Sequence, residues 1–351
     1  MNKLYKFGCV FLFLLLFGCN KVGIEPVPLA VEVELNGVIG PTTRSGWVNP
    51  LSGETFPEKQ LSIGVVMLDF DSPTPASVQP TAFDWDGAIE WKRAYFGGPG
   101  LQTGSSLATF VPANGEIKFT NDAGTAINKV FYNENGFYRF LRAVHPWAGA
   151  SVISSGSGGS ILMPIDGSQD IMCANLGWGS ITTPTVQPLH FEHLLTKLNI
   201  RFVAENSEAA GQYGTILAVE VVGQPDRLLF NIATCALEPY SWPVGSDRHG
   251  YNMVVPSGFP SLPRALPCLN TTTPDPVQDA LPFGYAMALP ADTYTIRVET
   301  ELRLAFFIKV AFPRVTDPGT AYNITLQFMV ADELFIYVDE ADEWWLDSTF
   351  D

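Results

Sequence analysis

The sequence predicts an all-β fold, and three observations lead to that prediction. The 351 residues include 31 Gly and 27 Pro, which interrupt the apolar runs at short intervals. Strand-like runs recur about every ten residues, a spacing typical of antiparallel β-sandwiches. Sustained helical periodicity is absent from the sequence, apart from a short helical turn predicted within residues 190–197. Because the hydrophobic content of 46% is enough to fill two cores, we expect two tandem sandwich domains.

The N-terminus predicts export and lipid attachment. Lys3 and Lys6 precede an apolar run over residues 7–17, which is too short to span a bilayer and fits a signal peptide over residues 1–18. Gly18 and Cys19 then resemble the end of a bacterial lipobox, which predicts cleavage between them and acylation of the Cys19 thiol. The alternative is a plain secretory signal with an incidental cysteine. Acyl chains would anchor the protein to the outer membrane.

The charge balance excludes one class of partner. The whole chain has 20 basic and 36 acidic side chains, and loss of residues 1–18 would remove two lysines and no acid, leaving a net charge of about −18. An acidic surface repels phosphate backbones, so we expect no nucleic-acid partner. It suits a soluble body held at a cell surface.

The first strand of the predicted mature chain follows an extended tether over residues 19–29. In residues 30–35, Val31, Val33 and Leu35 alternate with two glutamates, which predicts a half-buried strand. Burial of these three side chains would contribute about 1.5–3 kcal/mol each. Their sum is comparable with the net stability of a typical domain, about 5–15 kcal/mol, so the strand cannot be lost without a replacement.

Further strands divide into two groups around a predicted boundary at 183/184. The N-terminal sandwich (30–183) has strands predicted at 61–70, 115–120 and 137–146, with a flexible loop at 151–160. The C-terminal sandwich (184–351) has strands predicted at 197–205, 215–223, 227–237, 294–300, 304–312, 322–330 and 333–339. The segments 241–250 and 262–282 are predicted to be long connections.

The cysteines cannot form a complete disulfide framework. Cys9 would leave with the signal peptide and Cys19 would be acylated, which leaves Cys173, Cys235 and Cys268. An odd number favours buried, unpaired thiols, although one pair could form in an oxidising envelope.

No catalytic constellation is evident, so we expect neither an enzyme nor a cofactor. His190 and His193 lie three residues apart around Glu192, whereas zinc hydrolases usually present two histidines four residues apart on a helix. We therefore expect no metal there, and a partly buried strand-and-turn segment instead. The acidic cluster 339–344 is predicted to be a solvated chain end.

Trp85 and Trp91 suggest a second line of function. They alternate with acids in FDWDGAIEW, an arrangement that suits an exposed platform whose aromatic side chains stack on sugar rings. Core or interface packing is the competing interpretation.

Several stretches, taken in order, resemble the fimbrillin-like proteins, which are lipoprotein-derived type V pilins and accessory subunits of Gram-negative anaerobes. The resemblance begins with the lipobox, the first strand and the step Thr43-Arg44-Ser45. It continues through LSIGVVML (61–68), FLRAVHPWA (140–148) and GSQDIMCAN (167–175). LHFEHLLTKLNIRF (189–202) is similar to the family's opening of the second domain, and LFIYVDEADEWW (334–345) to its last strand.

This resemblance implies two transthyretin-like β-sandwich domains and a stalk, anchor or tip subunit of surface fimbriae that acts in cell adhesion. In polymerising members an arginine-specific protease cuts after an arginine beyond the first strand, here Arg44 before Ser45. A strand of another fimbrial subunit then fills the groove that Val31, Val33 and Leu35 occupied. The stretch after Cys19 lacks the acidic run often linked to surface export. The sequence therefore predicts membrane anchoring without deciding between the inner and the outer leaflet of the outer membrane. The alternative function is a stand-alone surface lipoprotein that binds a glycan or host ligand.

Overall fold

The computed structural model is built almost entirely from β-strands. It describes residues 30–39, 47–48, 55–56, 61–71, 74–79, 81, 83–85, 90–96, 115–121, 123, 126–146, 152–153, 159–184, 186–240, 248–255, 261–330 and 333–341. Across these ranges, every helix is too short or too polar to span a membrane. The all-β prediction is confirmed at this level, whereas the division into two transthyretin-like domains stays a prediction.

The first twelve strands build most of the N-terminal part. They are β1 (Leu35–Ile39), β2 (Trp47–Val48), β3 (Thr55–Phe56), β4 (Leu61–Phe70), β5 (Glu90–Phe96), β6 (Glu116–Phe119), β7 (Tyr138–His145), β8 (Val152–Ile153), β9 (Ser160–Pro164), β10 (Met172–Ala174), β11 (Gly177–Gly179) and β12 (Leu189–His193). A 3-10 turn covers Pro75–Ser77.

Eleven further strands follow. They are β13 (Thr196–Ala204), β14 (Thr215–Pro225), β15 (Arg227–Asn231), β16 (Leu237–Pro239), β17 (Arg248–Asn252), β18 (Arg264–Ala265), β19 (Leu281–Ala288), β20 (Thr293–Thr300), β21 (Phe306–Ala311), β22 (Ala321–Phe328) and β23 (Leu334–Glu340). Two short helices interrupt them, α1 (Ser207–Tyr213) and α2 (Pro276–Asp279).

Seven of the described strands form a sheet that closes on itself. Hydrogen-bonded neighbours run in the order β12-β10-β7-β4-β5-β6-β1, and β1 then pairs with β12, so the path returns to its start. The β1–β12 pairing is parallel, and the other six pairings are antiparallel. We call these seven strands the closed sheet.

The closed sheet encloses one core and shields a second. In β4, Ile63 and Val65 point into the closed sheet, whereas Val66 and Leu68 pack against the rest of the molecule. A strand buried on both faces needs apolar residues at almost every position. This explains why residues 61–70 read as a continuous apolar run.

The C-terminal part contains two sheets, β19-β13-β22-β23 and β17-β14-β20-β21, whose apolar faces share the second core. Phe306 of β21 and Phe328 of β22 meet across it with ring centroids 6.0 Å apart. A smaller sheet, β16-β15-β9-β8, joins residues from before and after the predicted boundary. The boundary at 183/184 stays a prediction, but β12, which follows it, is part of the closed sheet.

A disulfide fastens the closed sheet to the C-terminal part. Cys173 of β10 is bonded to Cys235, 62 residues further on, so the expectation of buried, unpaired thiols is wrong for these two. The folded chain brings their Cα atoms within 6.0 Å, which spacing along the sequence could not reveal. Cys268 is unpaired and exposed.

A buried arginine reinforces the same junction. Nη1 of Arg142 in β7 donates to the carbonyl oxygens of Ile232 (2.6 Å) and Ala233 (2.8 Å), in the turn that leads to Cys235. Burial lowers the pKa of Arg142 to about 10, so it stays charged at neutral pH. The turn is therefore held by one covalent bond and by two charge-assisted hydrogen bonds.

Candidate strand-exchange site

The candidate site is the place where residues 31–39 complete the closed sheet. We call these residues the closing segment. Its first half pairs with residues 130–132: the Val33 amide donates to the Val130 carbonyl at 2.8 Å, and the Tyr132 amide donates to the Val31 carbonyl at 3.0 Å. Its second half pairs with β6 on one side and with β12 on the other. One segment thus bridges three stretches that are far apart in sequence.

The side chains of the closing segment alternate as the sequence predicts. Val33 and Leu35 are 4% and 2% exposed and belong to the core of the closed sheet, against which Val31 packs half-buried. Glu34 and Asn36 point outward and are exposed. The segment is therefore held by apolar burial, since its ladder contacts with any one neighbour are few.

A stacked aromatic pair lies beneath the segment. The rings of Phe96 in β5 and Phe191 in β12 are nearly parallel, at an interplanar angle of 17° with centroids 5.0 Å apart, and both side chains are fully buried. Gly37 lies against them: a Cβ built on it would be 3.1 Å from Phe191 Cε2 and 3.2 Å from Phe96 Cε2. The two rings occupy the space that a side chain at position 37 would need.

Tyr132 forms another wall of the site. Its hydroxyl donates to the carbonyl oxygen of Pro184 at 2.8 Å, and burial raises its pKa to about 12, so it stays protonated at physiological pH. The aromatic body contributes to the core of the closed sheet. If the closing segment left, Tyr132 and its neighbours would line an apolar slot about one strand wide.

The proposed processing and lipidation residues fall elsewhere. Gly18, Cys19, Arg44 and Ser45 lie outside the described residues. Signal cleavage, acylation and release at Arg44 therefore stay predictions. In the sequence, Arg44 follows the end of the closing segment by five residues.

The predicted aromatic platform is wrong at Trp85. Its side chain is 0% exposed in the second core and packs edge-to-face against Phe83, with centroids 5.4 Å apart. Trp91 is half-buried against the same core. Alternation with acids suggested exposure, but the side chains of Trp85 and Trp91 both pack on the second core, where large aromatic side chains fill the space beside the closed sheet.

The histidine pair divides between surface and interior. His190 is exposed, whereas His193 is buried and its Nδ1 lies 2.7 Å from Oδ2 of Asp170. Both histidines lie on β12, and β13 begins at Thr196, so the predicted helical turn is wrong. Within the described ranges, no group of three or more His, Cys, Asp or Glu could hold a metal ion. The start of the acidic cluster, Asp339 and Glu340, belongs to β23.

Sequence reasoning missed the residues that receive the closing segment. These residues come from four separate stretches of the chain, and no local pattern brings them together. They are Phe96, Ile117, residues 130–132 and Phe191. Gly37 did leave a signal, because a glycine at an inward position of an alternating strand often marks a close approach.

Two solved structures with TM-scores above 0.5 share the fold of this chain. A "putative cell adhesion protein" from Bacteroides uniformis aligns over 89% of this chain and 97% of its own, with 15% identity and a TM-score of 0.52. Another of the same description, from Bacteroides ovatus, aligns over 90% and 98%, with 16% identity and a TM-score of 0.51. A fimbrial protein from Bacteroides vulgatus aligns over 88% and 98%, with 10% identity and a TM-score of 0.45. No family model and no curated protein sequence matches the chain.

Proposed function

We propose that the protein is a fimbrillin-like surface lipoprotein that joins other fimbrial subunits by strand exchange and serves in cell adhesion. One observation carries the proposal: the strand that completes the closed sheet comes first in the predicted mature chain, and its last residue, Ile39, lies five residues before Arg44. A cut after Arg44 would separate that strand, with the acylated Cys19, from the remainder of the protein. The shared fold of two structures described as cell adhesion proteins supports the same assignment.

The energetics favour replacement over simple loss. Val33, Leu35 and Val38 of the closing segment are buried, and each contributes about 1.5–3 kcal/mol relative to exposure. Departure of the segment would also leave backbone groups of β6, β12 and residues 130–132 without their partners. A strand from a neighbouring subunit would restore both the apolar burial and the backbone hydrogen bonds. This is the physical basis of strand addition.

The glycan-binding alternative loses its structural support. Its two aromatic residues do not form an exposed pair, because Trp85 is buried and Trp91 is half-buried. We therefore retain the fimbrial assignment alone.

The test is defined cleavage of purified full-length protein. An arginine-specific protease should yield a chain that begins at Ser45, identified by N-terminal mass spectrometry, and the cut protein should form ladders on unheated gels. An Arg44→Lys variant is the matched control, since the side chain keeps its charge but is not a substrate. Cleavage at Arg44 that leaves a stable monomer would contradict strand exchange. Loss of membrane retention in a Cys19→Ala variant tests the anchor separately.

A further inference from the structure

Gly37 sets a requirement on any strand that replaces the closing segment. We infer that the slot accepts a donor strand, running in the direction of the closing segment, whose sequence has the form apolar-x-apolar-x-Gly, with glycine at the position of Gly37. The inference rests on the proposed strand exchange and specifies the partner. It describes the donor strand by its sequence pattern and excludes β23 as that donor.

The glycine requirement follows from three close neighbours. A Cβ at position 37 would lie 3.1 Å from Ile117 Cδ1, 3.1 Å from Phe191 Cε2 and 3.2 Å from Phe96 Cε2. Carbon atoms in contact prefer separations of about 3.5–4.0 Å, so even one methyl group must displace all three. Because the two rings are stacked and fully buried, they have little room to withdraw. A β-branched side chain would overlap them further.

The neighbouring positions complete the pattern. Val33 and Leu35 lie two and four residues before Gly37 and fill the core of the closed sheet, so a donor needs apolar side chains at both. Glu34 and Asn36 are exposed and impose no such demand. A donor strand is therefore selected at positions 33, 35 and 37, most narrowly at position 37, and the buried Val38 extends the apolar requirement by one residue.

The strand at the other end of the described chain does not satisfy this pattern. β23 reads LFIYVDE, and its alternating sets end in Asp339 and Glu340 instead of glycine. Other stretches within the chain do fit the pattern, including Phe83-Asp84-Trp85-Asp86-Gly87 and Met163-Pro164-Ile165-Asp166-Gly167. Val219, Val221 and Gly223 fit as well, on β14, which pairs with β17 on one side and with β20 on the other. That strand cannot leave without dismantling its own sheet.

The test measures exchange into the full-length protein. Residues 41–46 are replaced by a single engineered protease site, so the cut does not depend on Arg44. After cleavage, a fluorescent peptide of residues 30–39 (AVEVELNGVI) competes for the slot, alongside the same peptide with Gly37→Val or Asn36→Val. The Asn36→Val peptide is the matched control, because it adds the same branched side chain at the adjacent, exposed position.

The native and Asn36→Val peptides should bind with similar affinity, and the Gly37→Val peptide about tenfold or more weakly, as overpacking of a dense core predicts. A Gly37→Ala peptide should fall between them. If the affinity of the Gly37→Val peptide is within about twofold of that of the native peptide, the difference is too small for an overlap in the core. That result would overturn the glycine requirement and leave strand exchange intact. Failure of every peptide to enter the cut protein would overturn strand exchange itself.

Discussion

The two strands at the ends of the described chain are held in opposite ways. The closing segment has few ladder contacts with any one neighbour, yet its inward side chains are almost fully buried. β23 pairs with β22 at seven consecutive positions, but Phe335 is 48% exposed and Ile336 and Val338 are each 38% exposed.

The contrast shows that backbone pairing and side-chain burial are separate sources of stability. A net hydrogen bond contributes about 0.5–1.5 kcal/mol, because water competes for the same groups, whereas a buried aliphatic side chain contributes about 1.5–3 kcal/mol. The closing segment is therefore expected to matter more to folding than β23 does, despite its irregular pairing. Its loss would open a core, whereas loss of β23 would uncover an edge.

The largest expected difference is between truncations to alanine in the two strands. Leu35→Ala should lower the free energy of unfolding by about 2–5 kcal/mol, because it leaves a cavity in the closed sheet. Val338→Ala, on the exposed strand, should lower it by less than about 1 kcal/mol. Urea unfolding of both variants measures the difference. Equal losses would show that burial does not distinguish the two strands.

Removal of the disulfide tests how far the closed sheet depends on its attachment. The double variant Cys173→Ser and Cys235→Ser should lose about 2–4 kcal/mol, since the bond restrains a long loop of the unfolded chain. Cys268→Ser is the control and should change little, because Cys268 is exposed and unpaired. Thermal unfolding under non-reducing conditions provides the measurement. A double variant as stable as the control would contradict the role of the junction.

The closed sheet also contains a buried histidine that should make the stability of the protein depend on pH. Burial lowers the pKa of His145 below its usual value of about 6.5, and the nearby His193 lowers it further. The charge of Asp170 and the hydrogen bond to Ser62 raise the pKa but do not outweigh burial. The neutral ring donates from Nδ1 to the Ser62 carbonyl oxygen at 2.9 Å. The unfolded chain binds the extra proton, so His145 lowers stability as the pH falls through about 6.5.

Unfolding at pH 7.5 and 5.5 measures this effect. The wild type should lose more stability between the two values than a His145→Gln variant, which retains a donor but does not titrate. An identical pH dependence in both proteins would exclude His145 as the cause.

The smallest effect is expected at the surface ion pair of the closing segment. Lys129 Nζ lies 2.7 Å from Glu32 Oε2, with side chains 66% and 37% exposed. Exposed pairs contribute about 0–1 kcal/mol, so Lys129→Ala should be nearly neutral in urea unfolding. A loss above about 2 kcal/mol would mean that charge, rather than burial, holds the segment.

The sequence was informative wherever a pattern is local. The β4 prediction at 61–70 matches the observed strand, and the alternation of Val31, Val33 and Leu35 reports its inward face correctly. The helix Ser207–Tyr213 was missed, although Asn206 supplies an N-cap whose side chain accepts from the Ala209 amide.

Long-range features were beyond reach for a physical reason. The β1–β12 pairing joins residues about 150 positions apart, and three cysteines allow three alternative pairs. Trp85 was predicted to be exposed but is buried. Burial between two parts of a molecule does not produce a periodic hydrophobic pattern in the sequence. Of the candidate site, the inward alternation of residues 31–35 was predictable, but the strand β1 lies at Leu35–Ile39 instead of the predicted 30–35, and the slot that receives it was not predictable.

Hydrogen exchange before and after removal of the closing segment tests the central claim most directly. In the full-length protein with the engineered cut, amides of β6, β12 and residues 130–132 should be protected while residues 31–39 remain in place. They should exchange faster once the segment is removed, and slow again when the native peptide of residues 30–39 is added. Amides of β22 and β23 should be unchanged throughout. Protection of β6 and β12 that is indifferent to the segment would contradict the account.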